Sequence, residues 1–111
     1  MVRTSALRTK ESESDFISWL VDYAHLKHWK VAHFRPARVI VKGVETWRTP
    51  VSADGKDFPD FVLARKGSKP IFIETKREDG KPTQGQLEWL EATGGHLFRP
   101  SDRDEIMKLL D

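Results

Sequence analysis

Residues 58–76 read FPDFVLARKGSKPIFIETK, and this stretch decides the fold. Asp60 to Arg65 and Pro70 to Lys76 each hold a run of apolar and β-branched residues of strand length. Lys66, Gly67, Ser68 and Lys69 between them have the composition of a turn. The pattern predicts a β-hairpin. Strand periodicity of two then puts Glu74 and Lys76 on one face, with Thr75 pointing to the other, and pairing brings Asp60 beside them. Uncompensated charges projecting together from adjacent strands cost several kcal/mol each when buried, and a bound cation relieves that cost.

Working outward, Ser12 with Asp15 forms a weak capping box ahead of Phe16, Trp19, Leu20, Tyr23 and Ala24, which recur at helical spacing. Lys30 to Arg35 alternates and stops at Pro36, predicting a first strand. Residues 36–57 contain Gly43, Pro50 and Gly55 with no long periodicity beyond the β-branched Val39 to Val41. They are expected to form a long loop, either facing substrate or a disordered insertion. After the hairpin, Thr83 with Gln86 opens a helix ending at Gly94 and Gly95. His96 to Arg99 is a short strand closed by Pro100, and Ser101 with Asp104 caps a last helix. The expected architecture is α/β, a mixed sheet of about four strands flanked by helices.

The 111 residues suffice for one domain, expected to span residues 1–111 with 1–11 flexible. The absence of cysteine excludes disulfides, thiolate metal sites and cysteine nucleophiles, and fits a reducing compartment. No apolar run is long enough to span a membrane, and the charged stretch from Met1 to Glu13 does not read as a secretory signal. A cytoplasmic protein without membrane association is expected. The formal net charge is only +2, but it is unevenly spread: Leu26 to Pro50 carries six cations against Glu45 alone. Such a basic segment is either a surface facing a polyanion or an ordinary solvated loop.

Magnesium prefers oxygen ligands and normally combines one or two carboxylates with waters and phosphate oxygens, so Asp60 and Glu74 supply its minimum set. Lys76 is then placed to act on an attacking water and on charge developing at phosphorus. The competing explanation is a surface salt bridge between Glu74 and Lys76, common for an isolated Glu-x-Lys. The preceding Pro59-Asp60 on the same hairpin favours the site. No Walker A loop, GxGxxG, HExxH or GxSxG is present, and the four histidines show no closed zinc-ligand spacing.

Pro59-Asp60, thirteen intervening residues and Glu74-Thr75-Lys76 resemble the signature of the PD-(D/E)xK nuclease superfamily. The wider pattern is similar to its VRR-NUC branch, small standalone nucleases common in phages and bacteria. The similarity runs from Ser12-Glu13-Ser14-Asp15-Phe16 through His33-Phe34-Arg35-Pro36 and Phe58 to Leu63. It continues through Phe72 to Lys76, Thr83 to Gln86 with Trp89-Leu90, and Arg99 to Asp102. The resemblance implies a restriction-endonuclease-like core. It implies metal ligation by Asp60, Glu74 and the Thr75 backbone carbonyl, with Lys76 as catalytic lysine and Mg²⁺ or Mn²⁺ as cofactor. Glu13 matches an acidic residue of the first helix that can complete the metal site, and Gln86 a polar residue facing it. One departure is Asp57, where related sequences commonly have Gly before Phe-Pro-Asp.

Ordinary roles compete with several of these assignments. Glu13 in a first helical turn favours the helix dipole, and Gln86 serves the capping box. His33 at a strand end touches phosphate or is merely structural. Arg35, Arg38, Arg48 and Lys81 are candidate phosphate contacts. Trp19, Trp29 and Trp89 suit a core or a dimer, with Trp47 in the basic segment as the candidate base-stacking residue. The function expected is a divalent-metal-dependent DNA endonuclease, structure-selective in the manner of a Holliday junction resolvase and acting as a homodimer in a prokaryotic or phage-infected cell. Nicking or flap cleavage by the same site, a silent nucleic-acid-binding module and a protein-interaction domain are the alternatives.

Overall fold

The computed structural model describes residues 12–49 and 51–111. Helix α1 (Glu13–Leu26) starts where Ser12 Oγ accepts the Asp15 N–H at 3.1 Å. Phe16, Leu20 and Ala24 follow one another at i+4 and are buried together. The helix ends at Lys27, where His28 adopts φ 70° and Trp29 N–H returns to the Ala24 carbonyl at 2.9 Å. That reversal leads into β1 (Lys30–His33). β4 (Phe61–Ala64) and β5 (Ile71–Thr75) form the antiparallel hairpin expected from residues 58–76. Helix α2 (Gln84–Thr93) has the full capping box of Thr83 and Gln86, and its C-cap Gly94 takes the left-handed conformation. It crosses over to β6 (His96–Phe98), which pairs parallel with β5.

The four-stranded sheet has the order β1-β4-β5-β6, antiparallel except at its last pair, so the expected mixed sheet of about four strands is present. Among the described residues three α-helices accompany it, the third being α3 (Arg103–Leu110). Phe61, Leu63 and Ile73 project from one face into a core with Phe16, Leu20, Phe98, Ile106 and Leu110, all nearly inaccessible to solvent. Phe72 lies on the other face, where Phe58 packs edge-on against Phe34, Phe72 and Trp89. Alternation therefore sends Glu74, two residues after Phe72, to the α2 side.

Two expectations are corrected. Residues 36–57 are not one structureless loop: β2 (Ala37–Val41) and β3 (Val44–Arg48) form a separate two-stranded ribbon. Lys42 and Gly43 make its turn with φ of 52° and 77°, the conformation that closes a tight hairpin with the right twist. The last helix is also not capped by Ser101. Pro100–Asp102 forms a 3₁₀ turn first, and Ser101 donates its N–H and hydroxyl to the Glu78 carboxylate at 2.6 and 3.0 Å. Asp102 is the residue before α3, and its Oδ2 accepts the Arg99 N–H at 2.7 Å. The expectation for residues 1–11 lies outside the described residues. Among the described residues no helix is long and apolar enough to cross a membrane.

The core and the ribbon should respond differently to truncation. Leu63→Ala removes a fully buried side chain and is expected to cost about 2–5 kcal/mol in urea unfolding. Ile40→Ala on the ribbon, where the side chain is 69% exposed, should stay within about 0.5 kcal/mol.

Candidate active site

Asp60 is the last residue before β4, and its carbonyl accepts the Phe34 N–H at 2.8 Å, which ties it to the end of β1. Its Oδ2 accepts two hydrogen bonds from Thr75, one from the backbone N–H at 3.1 Å and one from the hydroxyl at 2.9 Å. Thr75 shares the core face with Ile73, opposite Glu74, as alternation predicts, and its hydroxyl also helps to hold Asp60. The β4–β5 ladder ends at the Phe61–Ile73 pair, and Asp60 and Thr75 lie beyond it, so the two can meet at the end of the strand pair.

Glu74 is only 2% exposed. Its Oε2 accepts the Gln86 side-chain amide at 2.9 Å and lies 3.6 Å from Lys76 Nζ. Its Oε1 is buried and has no hydrogen-bond partner among the described residues. A lone buried carboxylate oxygen is an uncommon thing to leave uncompensated. The carboxyl is pushed up to about 8, first by loss of water and then by the Asp60 charge, with Lys76 opposing both. The surface salt bridge considered as the competing explanation does not describe this pair, since Glu74 lies in the interior.

Two cavities meet at Asp60. One, of about 480 Å³, has Arg48, Lys56, Phe58 and Gln86 in its wall; the other, of about 350 Å³, has Glu13, His33 and Arg35. The structure thus brings Asp60, Glu74, Lys76 and Gln86 together, and sets Glu13, His33, Arg35 and Arg48 around the adjoining hollows. Arg38 and Lys81 line neither hollow. Arg38 is on the ribbon, paired with Glu45 at 3.2 Å, and Lys81 is exposed ahead of α2. His33 stacks on Phe61 at 4.2 Å, and burial holds its imidazole below the usual range, against a smaller opposing pull from Asp60. It is therefore a neutral ring at neutral pH rather than a fixed positive charge.

Gln86 fills both roles considered for it. Its Oε1 accepts the Thr83 N–H at 2.9 Å while its Nε2 donates to Glu74, so the helix cap fixes the amide that orients the carboxylate. Asp57 adopts φ 70°, a region that glycine enters more readily. A side chain at Gly85, in the first turn of α2, would collide with the Asp57 carboxylate. Lys56 and the Thr75 hydroxyl are site features that sequence reasoning missed, because neither periodicity nor motif spacing marks them.

Among the described residues no three His, Cys, Asp or Glu side chains form a metal-holding group, and Glu13 lines one hollow together with Asp60. Two carboxylates are nevertheless within the needs of a hard divalent ion. The unpartnered Glu74 oxygen beside the Asp60 carboxylate is a donor set that fits such an ion. No protein-family model, curated protein or solved structure matches the chain.

The proton affinity of Glu74 has a consequence for stability. A carboxyl whose folded value lies above the unfolded one stabilises the fold below the unfolded value, and that contribution is lost as pH rises through the folded one. In chelator, Tm should fall between about pH 4.5 and 8. Glu74→Gln should flatten that slope in a thermal scan against pH; a wild-type slope unchanged by the substitution would contradict the assignment.

Proposed function

We propose that this protein is a divalent-metal-dependent endonuclease that hydrolyses DNA phosphodiesters, using Mg²⁺ or Mn²⁺ held by Asp60, Glu74 and the Thr75 carbonyl. The observation that carries the reading is the buried Glu74 beside Asp60, with one oxygen unpartnered and a lysine at 3.6 Å. A divalent ion bound there supplies Lewis acidity and neutralises charge on a phosphate. The remaining chemistry belongs to the chain. Thr75 fixes the Asp60 carboxylate through two hydrogen bonds, and Gln86 fixes Glu74 through one. Lys76 keeps its ammonium beside Glu74, where it can attract the phosphate and steady the negative charge that grows on its oxygens as water adds. Arg48 and Lys56 in one hollow, and Arg35 in the other, place positive charge on either side of Asp60, where a strand passing through would present its backbone.

The order β1-β4-β5-β6, with α2 linking the parallel pair, is compatible with a restriction-endonuclease-like core of the VRR-NUC type. On that reading the active form is a homodimer in the cytoplasm of a prokaryotic or phage-infected cell, and a two-fold branched substrate such as a four-way junction suits two equivalent sites.

Purified protein with Mg²⁺ or Mn²⁺ should cut at least one member of a panel of duplex, flap, fork and four-way junction DNA. Asp60→Ala and Lys76→Ala should each lower the single-turnover rate by at least about 10²-fold while DNA is still retained in a gel shift. Gln86→Ala should cost less, about tenfold, because it orients a ligand rather than touching the reacting atoms. Wild-type protein that retards DNA but cleaves none of these substrates with either ion would replace the enzyme reading with that of a binding module.

A further inference from the structure

Among the described residues the β2–β3 ribbon pairs with no other strand, and its exposed apolar side chains need an explanation. Ile40, Val44 and Trp47 are 69%, 60% and 68% exposed. An isolated two-stranded hairpin is marginal in water, and large apolar groups so displayed usually mark a contact surface. Strand register sorts the two faces: Arg38, Ile40, Glu45 and Trp47 share one, where Arg38 pairs with Glu45 at 3.2 Å, while Val39, Val41, Val44 and Arg48 share the other.

Charge decides between occupants. Arg38, Lys42 and Arg48 stand against Glu45 alone, so the ribbon is a net cation within a nearly neutral chain. Pairing with the same ribbon of a second copy would set like charge against like, whereas a polyanion complements it. The ribbon is also continuous with the candidate site. β3 runs from the turn to Arg48, and Arg48 and Thr49 line the same hollow as Asp60 and Gln86. Five residues per strand give an arm about 17 Å long, comparable to about five base-pair steps of duplex, and a two-stranded ribbon fits a DNA groove.

We propose that the β2–β3 ribbon is a nucleic-acid-gripping arm that docks in a duplex groove flanking the phosphodiester at Asp60. Trp47 and Ile40 lie against sugars and base edges, Lys42 meets a phosphate, and Arg38 reaches one by exchanging its pairing with Glu45. The choice of nucleic acid as occupant rests on the endonuclease reading above; the arm's chemistry does not depend on cleavage.

Two substitutions test it without disturbing the core. Lys42→Asn keeps a residue that tolerates φ 52° while removing the charge, and Trp47→Ala removes the exposed ring. Fluorescence anisotropy of a labelled 20-base-pair duplex in EDTA, over a range of NaCl, reads the arm. Hydrolysis of bis(p-nitrophenyl) phosphate with Mn²⁺, a diester too small to reach it, reads the site. The expected result is about a tenfold loss of duplex affinity for Trp47→Ala. Lys42→Asn should lower the salt slope by about one, and small-diester hydrolysis should stay at the wild-type rate in both. Affinity and slope unchanged in both variants, with hydrolysis intact, would overturn the arm and leave the site reading standing. A wild type that binds duplex through the arm yet hydrolyses no diester would overturn the site reading and leave the arm. Variants that alter only the monomer–dimer equilibrium in sedimentation would make the ribbon an interface between copies and overturn the proposal.

Discussion

The interior placement of Glu74 against Asp60 is the constraint around which the rest is arranged. Two carboxylates at the end of a strand pair repel one another, and a protein interior screens that repulsion poorly. The fold answers with neutral donors on each acid and one cation nearby: Thr75 on Asp60, Gln86 and Lys76 on Glu74. One oxygen is still left unsatisfied. A structure selected for stability alone would replace such a group with an apolar one, so its presence points to use.

The supporting framework explains why the pair can be held so closely. Phe61 and Ile73 are opposite one another in the β4–β5 ladder and fully buried, which pins the register one step before Asp60 and Glu74. A slip of one residue would turn Glu74 out of its contact with Gln86. On the α2 side, Phe58 wedged against Phe72 and Trp89 anchors the turn that delivers Asp60. The close approach of Asp57 to Gly85 brings that same turn against the start of α2, the helix that carries Gln86.

Much of this was legible in the sequence, and the exceptions have physical causes. The β4–β5 hairpin is bounded by proline and a Lys-Gly-Ser-Lys turn, and β4 buries alternate residues, so its period shows. The helix caps at Ser12 and Thr83 are local hydrogen bonds between residues three apart, and they form as read. The β2–β3 ribbon stayed hidden because neither face is buried, which leaves no alternation of apolar and polar residues to detect. Ser101 was misread as a cap because Glu78, distant in sequence, captures it. The Thr75 hydroxyl bond to Asp60 depends on where the ladder ends, which strand periodicity does not specify. Glu13 and His33 arrive beside Asp60 as expected of the first helix and strand, in the wall of one hollow.

The most direct test is the position of an ion. Crystals soaked in MnCl₂ and measured at the manganese absorption edge should show an anomalous peak within about 2.0–2.4 Å of carboxylate oxygens from both Asp60 and Glu74, lost in Glu74→Gln crystals. Density for a well-ordered Glu74 with no peak beside it at millimolar manganese, or a peak held by other residues alone, would contradict the account.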